Sequence, residues 1–349
     1  MKILLGVQTT GNGHIIRSTA LLKQLRARGH DIQTLFSGPA AGKRWDLSHF
    51  EPYETRTGMT FKSRSGHIDY VRTVVDNKPV QFIKDIEQLA WSQYDLVISD
   101  YEPVSAWMAK RRGLPSIGIG HLYAFTHDVP KSAGKYISHW VTNVFAPVKY
   151  SMGSHWHHFD QPLLPPTVAD DVHQLQPGMG DHYLVYLPFE KQQKVLKLLD
   201  QFPDIQFRLY TGTKTSGQKG HIKLCEISRE GFLNDLANCR GVICNAGFSL
   251  VSEALHLGKK VLVKPLTGQV EQESNAVALE QLELGHGMPN LNADSVRLWL
   301  DMPAIEARNW PVVMVPLAEW ISAGNWDNQS TLTKQLWPDL ANDTPTTNL

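Results

Sequence analysis

Residues 241–275, GVICNAGFSLVSEALHLGKKVLVKPLTGQVEQESN, restrict the fold most, because they spell strand, glycine turn, helix, strand and polar helix entry in one run. Val242-Ile243-Cys244 is a short apolar run suited to a buried strand. Gly247 offers a turn without Cβ crowding, and Leu250, Val251, Ala254 and Leu255 then recur at helical spacing. A helix that starts behind a strand end carries free backbone N–H groups, here around Gly247, Phe248, Ser249 and Leu250. With the positive end of the helix dipole these form a seat for a diphosphate. Ser249 and Glu253 lie four apart and share a helix face, which places Glu253 one turn in, where it can accept hydrogen bonds from ribose hydroxyls.

A second glycine turn opens the chain. Residues 2–7 read as a strand, Gly11-Asn12-Gly13-His14 as a glycine loop, and Arg17, Leu21, Leu22 and Leu25 as part of a helix. Further strands are expected at 31–36, 49–54, 95–99 and 115–120, and helices at 14–28, 66–76, 79–92, 103–112 and 133–149. Such alternation calls for a parallel sheet covered on both faces. Residues 160–180 turn proline-rich and read as a linker. A second series follows, with strands at 183–188, 205–210 and 222–227 and a helix at 191–201. The expected fold is therefore α/β, with two Rossmann-like doubly wound domains facing across a crevice. Their limits are 1–165 and 180–315, and a helical segment at 316–340 returns to the first domain. The tail beyond Trp337 reads as disordered.

Gly247 followed by Glu253, then Pro265, Glu271-Gln272 and Asn275, resembles the donor-site signature of nucleotide-sugar glycosyltransferases of the GT-B fold. The Gly11-Asn12-Gly13-His14 loop resembles the GxGH loop with which those families open. The resemblance runs from end to end. It is strongest to the lipid II N-acetylglucosaminyltransferase and the UDP-glycosyltransferases, and the Arg17 extension is like a branch of microbial glycosyltransferase-like proteins. It implies an inverting, metal-independent transfer of a sugar from a nucleoside diphosphate, by default UDP, to a hydroxyl of a glycan or lipid-linked acceptor, with no cofactor. It also implies that Glu271-Gln272 touch the donor sugar. One departure stands out: where the lipid II enzyme has a glycine- and serine-rich loop, this chain has Leu187-Pro188-Phe189-Glu190.

In doubly wound sheets the ligand sits at the carboxyl ends of the strands. His14, Asp100, Glu102 and His121 all follow expected strand ends. Glycosyl transfer needs a base for the acceptor hydroxyl and N–H groups or positive charge for the departing diphosphate. A histidine suits the first task because its free pKa near 6.5 leaves it mostly neutral at cellular pH. His14 with Asp100 is the first candidate for a base and its orienting carboxylate, similar to the His–Asp pairing of the UDP-glycosyltransferases. Asp100 also fits an N-cap for the helix near Pro103, and Glu102 competes for the orienting role. Arg17 is placed to neutralise phosphate, and His121 to contact acceptor or to pack. In the second half Gln269, Glu271, Gln272 and Asn275 offer amides and a carboxylate to sugar hydroxyls, and Thr211-Gly212-Thr213 a weak base or phosphate pocket.

Composition bounds the alternatives. The 349 residues include three cysteines without metal-ligand spacing, which fits a reduced cytoplasm. Residues 1–165 hold 19 Lys and Arg against 13 Asp and Glu, a net of +6 that the remainder cancels, so a basic first half offers a surface to anionic lipid or an anionic acceptor. The segment 133–149, with Tyr136, Trp140, Val141, Val144 and Phe145 between Lys131, Lys135 and Lys149, fits peripheral membrane contact or core packing equally. His155-Trp156-His157-His158 lacks a carboxylate or cysteine frame for a metal. No aromatic, cationic platform for nucleic acid occurs. Two rival functions remain: a nucleotide-sugar hydrolase, since a GxGHxxR loop also occurs in such an enzyme, and a sugar-nucleotide binding subunit without turnover.

Overall fold

The computed structural model describes residues 1–38, 47–59, 63–64, 67–68, 79–132, 144–211 and 216–337. The first sheet contains β1 (Lys2–Gln8), β2 (Asp31–Ser37), β3 (Tyr53–Arg56), β6 (Leu96–Asp100), β7 (Ser116–Ile119) and β8 (Tyr150–Met152). Its order is β3-β2-β1-β6-β7-β8, and all its pairings are parallel. Two short strands, β4 (Ser63–Arg64) and β5 (His67–Ile68), form a separate ladder. Helices α1 (Asn12–Ala27), α2 (Pro79–Glu87) and α3 (Pro103–Arg112) connect the sheet.

The second sheet contains β9 (His182–Tyr186), β10 (Gln206–Thr211), β11 (Gly217–Lys219), β12 (Ile222–Glu226), β13 (Gly241–Cys244), β14 (Lys260–Val263) and β15 (His286–Gly287). Its order is β11-β12-β10-β9-β13-β14-β15, and only β11 runs antiparallel. Around it lie α4 (Asp170–His173), α5 (Gln192–Leu199), α6 (Arg229–Asn238), α7 (Phe248–His256), α8 (Val270–Gln281) and α9 (Ala293–Asp301).

Strand period decides what each face buries. Ile3, Leu5 and Val7 of β1 meet Leu21 and Leu25 of α1, whereas Leu4 faces Val104 and Met108 of α3. In the second sheet Leu184, Val242 and Val261 face α6 and α7, while Val185, Ile243 and Leu262 face α5 and α9. Each fully buried aliphatic side chain contributes roughly 1.5–3 kcal/mol.

The chain ends by crossing between lobes. Helices α10 (Met314–Ala323) and α11 (Gln329–Leu336) bury Leu317, Ile321, Leu332 and Leu336 in the core of the first sheet. The single helix expected at 316–340 is interrupted because Gly324 takes a left-handed φ of 75°. Trp337 then donates its indole N–H to the Leu163 carbonyl at 2.7 Å. The proline-rich linker is firmly seated: Trp156, Val168, Ala169 and Val172 belong to the second core, and Leu163 and Leu164 to the first lobe.

Other differences from expectation have local causes. The strand expected at 49–54 is a 3-10 turn, Ser48–Phe50, followed by β3, with Pro52 between them lacking an N–H for the ladder. The helix expected at 79–92 stops at Glu87. Residues 69–76 and 133–143, on which the helices expected at 66–76 and 133–149 largely fall, lie outside the described residues, as do Gly212, Thr213 and the tail beyond Trp337. Residues 147–149 are not helical, since Pro147 cannot continue one. Among the described residues no helix is long and apolar enough to cross a membrane.

Candidate active site

Helix α1 begins at Asn12, inside the expected glycine loop, with Gly11 as its N-cap, so His14, Arg17 and Ser18 fall at i, i+3 and i+4 on one face. That face meets the end of β6, whose last residue, Asp100, lies beside Val7 of β1. Three side chains converge on this one carboxylate. His14 Nδ1 donates to Oδ1 at 2.8 Å, Ser18 Oγ donates to Oδ2 at 2.8 Å, and Arg17 Nε donates to Oδ2 at 3.1 Å. A second Arg17 nitrogen, Nη2, donates to Oδ1.

Asp100 has no exposed side-chain surface, whereas 20% of His14 is exposed. Burial alone would raise the Asp100 pKa, but the charges and hydrogen bonds of Arg17 and His14 outweigh it and hold the carboxyl below its ordinary value. An ionised Asp100 fixes the proton of His14 on Nδ1. The other nitrogen, Nε2, is then an acceptor, the state a general base requires.

Glu102 does something else. Tyr101 takes a left-handed φ of 52°, and Glu102 beyond it caps α3, accepting from the N–H groups of Val104 and Ser105 at 2.7 Å each and from Ser37 Oγ at 2.5 Å. Burial raises its pKa against the pull of these bonds. With Glu102 as the cap, Asp100 is left to serve His14, and the two do not compete.

Across the crevice α7 starts at Phe248 behind Gly247, with no side-chain cap. The N–H groups of its first turn therefore have no helical partner. Gly247 sits at φ −75° with open space where a Cβ would stand, so the glycine is not required by crowding; the same space is open at Gly11. Crowding occurs instead at Gly13, where an added Cβ would lie 2.2 Å from Ser249 Oγ. The glycine loop of one lobe thus lies against the helix start of the other. Gly13→Ala should turn the Ser249 hydroxyl aside and push its Cβ, 3.1 Å away, back by about a few tenths of an ångström, lowering kcat/KM roughly 2–10-fold while leaving the melting temperature nearly unchanged. Unaltered steady-state kinetics would show that this approach is not used.

The remaining donor-side residues differ in what they leave free. The ring of Phe248 stacks on His121, 3.9 Å between centroids and 5° between planes, and on Trp156 at 4.9 Å, so only its backbone faces the crevice. Leu250 packs against the second core. Glu253 is 6% exposed and receives Arg229 Nη2 at 3.3 Å, while Arg229 also makes two bonds to Asp171. Burial raises the Glu253 pKa, and Arg229 opposes it. Gln269 caps α8 by accepting from the Gln272 N–H at 2.5 Å, and Gln272 Oε1 accepts from the Leu266 N–H at 2.9 Å. Glu271 is half-buried and is met by Gln269 at 3.1 Å, which leaves it the most available group of that helix entry. Thr211 ends β10 and is buried.

Of the two expectations for His121, acceptor contact or packing, the structure shows the packing. It is 5% exposed, its Nδ1 donates to the Ser154 carbonyl at 2.8 Å, and its Nε2 lies 2.6 Å from Asn275 Oδ1. The His155–His158 run is spent locally. His155 Nδ1 accepts from the Trp156 N–H, His157 Nδ1 from that of Phe159, and His158 Nδ1 from that of Asp160, each at 2.9 Å.

Sequence reasoning missed Ser18, although it follows from the same helix face as His14 and Arg17. It also missed Lys264, which directly follows β14 and pairs with Glu190 at 2.8 Å, both nearly buried. A cavity of about 370 Å³ opens there beside α5, lined in part by Lys194, Thr267, Asn290 and Asn292. Asn245, between β13 and Gly247, donates to the Lys264 carbonyl at 2.9 Å and keeps its Oδ1 buried without a partner.

Two open sheets bring the His14–Asp100 pair of one lobe against the helix start of the other, and the sequence profile of glycosyl transferase family 1 matches residues 1–302. The chain belongs to glycosyl transferase family 1. An uncharacterized glycosyltransferase of Methanosarcina acetivorans is 24% identical over 350 residues, covering 89% of each chain. The glycotransferase of kitacinnamycin superposes with a TM-score of 0.60 at 16% identity, over 96% of this chain and 94% of that one. The spinosyn rhamnosyltransferase SpnG complexed with thymidine diphosphate gives 0.58 at 12% identity, over 98% of each chain, and its complex with spinosyn aglycone gives 0.54. The fold of this glycosyltransferase is accordingly GT-B, two Rossmann-like domains.

Proposed function

We propose that this glycosyltransferase moves a sugar from a nucleoside diphosphate, UDP or dTDP, to a hydroxyl of its acceptor in a single inverting displacement. The observation that carries this reading is His14, held by Asp100 through Nδ1, on the edge that faces the uncapped start of α7. The acceptor hydroxyl passes its proton to His14 Nε2 as its oxygen bonds to the anomeric carbon. The bond from that carbon to the β-phosphate oxygen breaks, and the electron pair leaves on the diphosphate. First-turn N–H groups of Phe248, Ser249 and Leu250 and the α7 dipole receive this charge, so the residues present suffice without a divalent ion. Glu253 accepts from the free pentose hydroxyls of the nucleotide, 2′ and 3′ in UDP and 3′ alone in dTDP, and Glu271 from the sugar.

The bound thymidine diphosphate of SpnG supports adding dTDP to the UDP default, and its aglycone supports a hydroxyl-bearing acceptor, which for this chain we take as a glycan or lipid-linked molecule. Incubation with UDP-, GDP- and dTDP-sugars tests the reading. Nucleotide release only when acceptor is present supports transfer. Release without acceptor assigns hydrolysis, and thermal stabilisation without release assigns binding alone. Glu253→Ala should weaken UDP or dTDP binding by about 1.5–3 kcal/mol, read by calorimetry, with little change in kcat. A Kd within twofold of the native value removes Glu253 from the nucleotide site.

A further inference from the structure

His121 joins the two halves of the site proposed above, and this inference rests on that reading. Its neighbour Gly120, at φ 120°, packs so closely on the catalytic cluster that a Cβ there would lie 3.0 Å from Arg17 Nη2 and 3.5 Å from Asp100 Oδ1. From the other lobe, Phe248 stacks on the imidazole and Asn275 meets its Nε2. Asn275 in turn donates through Nδ2 to the Ala246 carbonyl at 2.9 Å, one residue before Gly247. A continuous path of contacts therefore runs from Asp100 and Arg17 through residues 120 and 121 to the loop that begins α7. Phe125 and His155 close around the ring at 5.0 and 5.3 Å.

We propose that His121 is a positioning residue, an interlobe latch that sets the distance between His14 and the diphosphate seat. Both hydrogen-bond partners of the ring are oxygens, so meeting both in full takes a proton on each nitrogen. Burial is the largest influence on this imidazole and lowers its pKa, while the Glu271 carboxylate and the bonds to Ser154 and Asn275 act the other way and Arg17 adds to the lowering. A glutamine offers an N–H toward Asn275 without needing a charge. A phenylalanine keeps the stacking area and offers none.

The latch can be read without turnover. Nitroxide labels on Lys23→Cys and Gln281→Cys, both exposed and on opposite lobes, report lobe spacing by pulsed dipolar spectroscopy with UDP or dTDP added; the native Cys225, Cys239 and Cys244 are buried. His121→Phe should broaden the distances toward longer values, and His121→Gln should keep the native distribution. With a donor found from the panel, His121→Phe should lower kcat at least tenfold with donor KM within threefold, and His121→Gln should stay within threefold on both. If His121→Phe melts far below the native protein, Asn275→Ala, which removes the contact from the other lobe, takes its place. A native distance distribution in the folded His121→Phe or Asn275→Ala protein overturns the latch, as does an equal kcat loss in His121→Phe and His121→Gln. Absence of transfer with any donor overturns the reading of function and leaves the distance result to decide the latch.

Discussion

His14→Ala should lower turnover by about 10²–10⁴-fold and leave nucleotide affinity within a few-fold, the range associated with loss of a positioned proton acceptor. The selectivity follows from where the side chain is used. Its Nδ1 is spent on Asp100, and no protein group engages Nε2 among the described residues, so the imidazole's free chemistry is directed at the crevice. In the proposed mechanism the diphosphate sits on the other lobe, at backbone groups that the substitution does not touch. Turnover measured by nucleotide release, with calorimetric titration of UDP and dTDP alongside, separates the two effects. Near-native turnover in this variant removes His14 as the base.

Asp100→Asn should damage both activity and stability. An amide can accept from His14 only through its oxygen and presents N–H groups to a guanidinium and a hydroxyl that now donate to a carboxylate, so the tautomer of His14 is no longer fixed. Turnover should fall by about 10²–10⁴-fold. Asp100 is wholly buried and Arg17 is 11% exposed, so removing the negative partner strands a nearly buried charge, a loss of about 3–5 kcal/mol. The pH dependence has a definite sign. The folded pKa of Asp100 is depressed below that of the unfolded chain, near 3.9. Its stabilisation is therefore fully present above about pH 4 and is lost as pH falls through the folded value. Denaturant melts of native and variant proteins from pH 7 downward should converge only in acid. A constant gap across that range, or none at pH 7, contradicts this assignment.

Much of this arrangement is legible in the sequence because its signals are local. Apolar runs such as Leu96-Val97-Ile98 and Val242-Ile243-Cys244 are long and pure enough to place strands within a residue or two, and α3 is bounded by Pro103 and Gly113, which mark its ends. The His14–Asp100 pairing was reachable because Asp100 closes one apolar run and His14 stands in the glycine loop that follows another. The division of labour between Asp100 and Glu102 was not. Either carboxylate can cap a helix, and the choice is made by the left-handed turn at Tyr101, a tertiary feature that no propensity encodes. The close approach at Gly13 was equally illegible from local rules. Crowding at Gly13 comes from Ser249, more than two hundred residues away, while Gly247 is open. His121 and Asn275 illustrate the same limit, since each looks like a ligand contact until the other lobe is in place to occupy it.

The central claim is that one lobe holds the diphosphate at the start of α7 while the other aims His14 Nε2 at the sugar. A crystal structure of the protein soaked with UDP and with dTDP tests it most directly. The predicted result is both phosphates seated against the N–H groups of Phe248, Ser249 and Leu250, the ribose at Glu253, and His14 facing the terminal phosphate across the crevice. A nucleotide bound instead in the lysine-lined cavity beside α5, with the start of α7 empty, contradicts it.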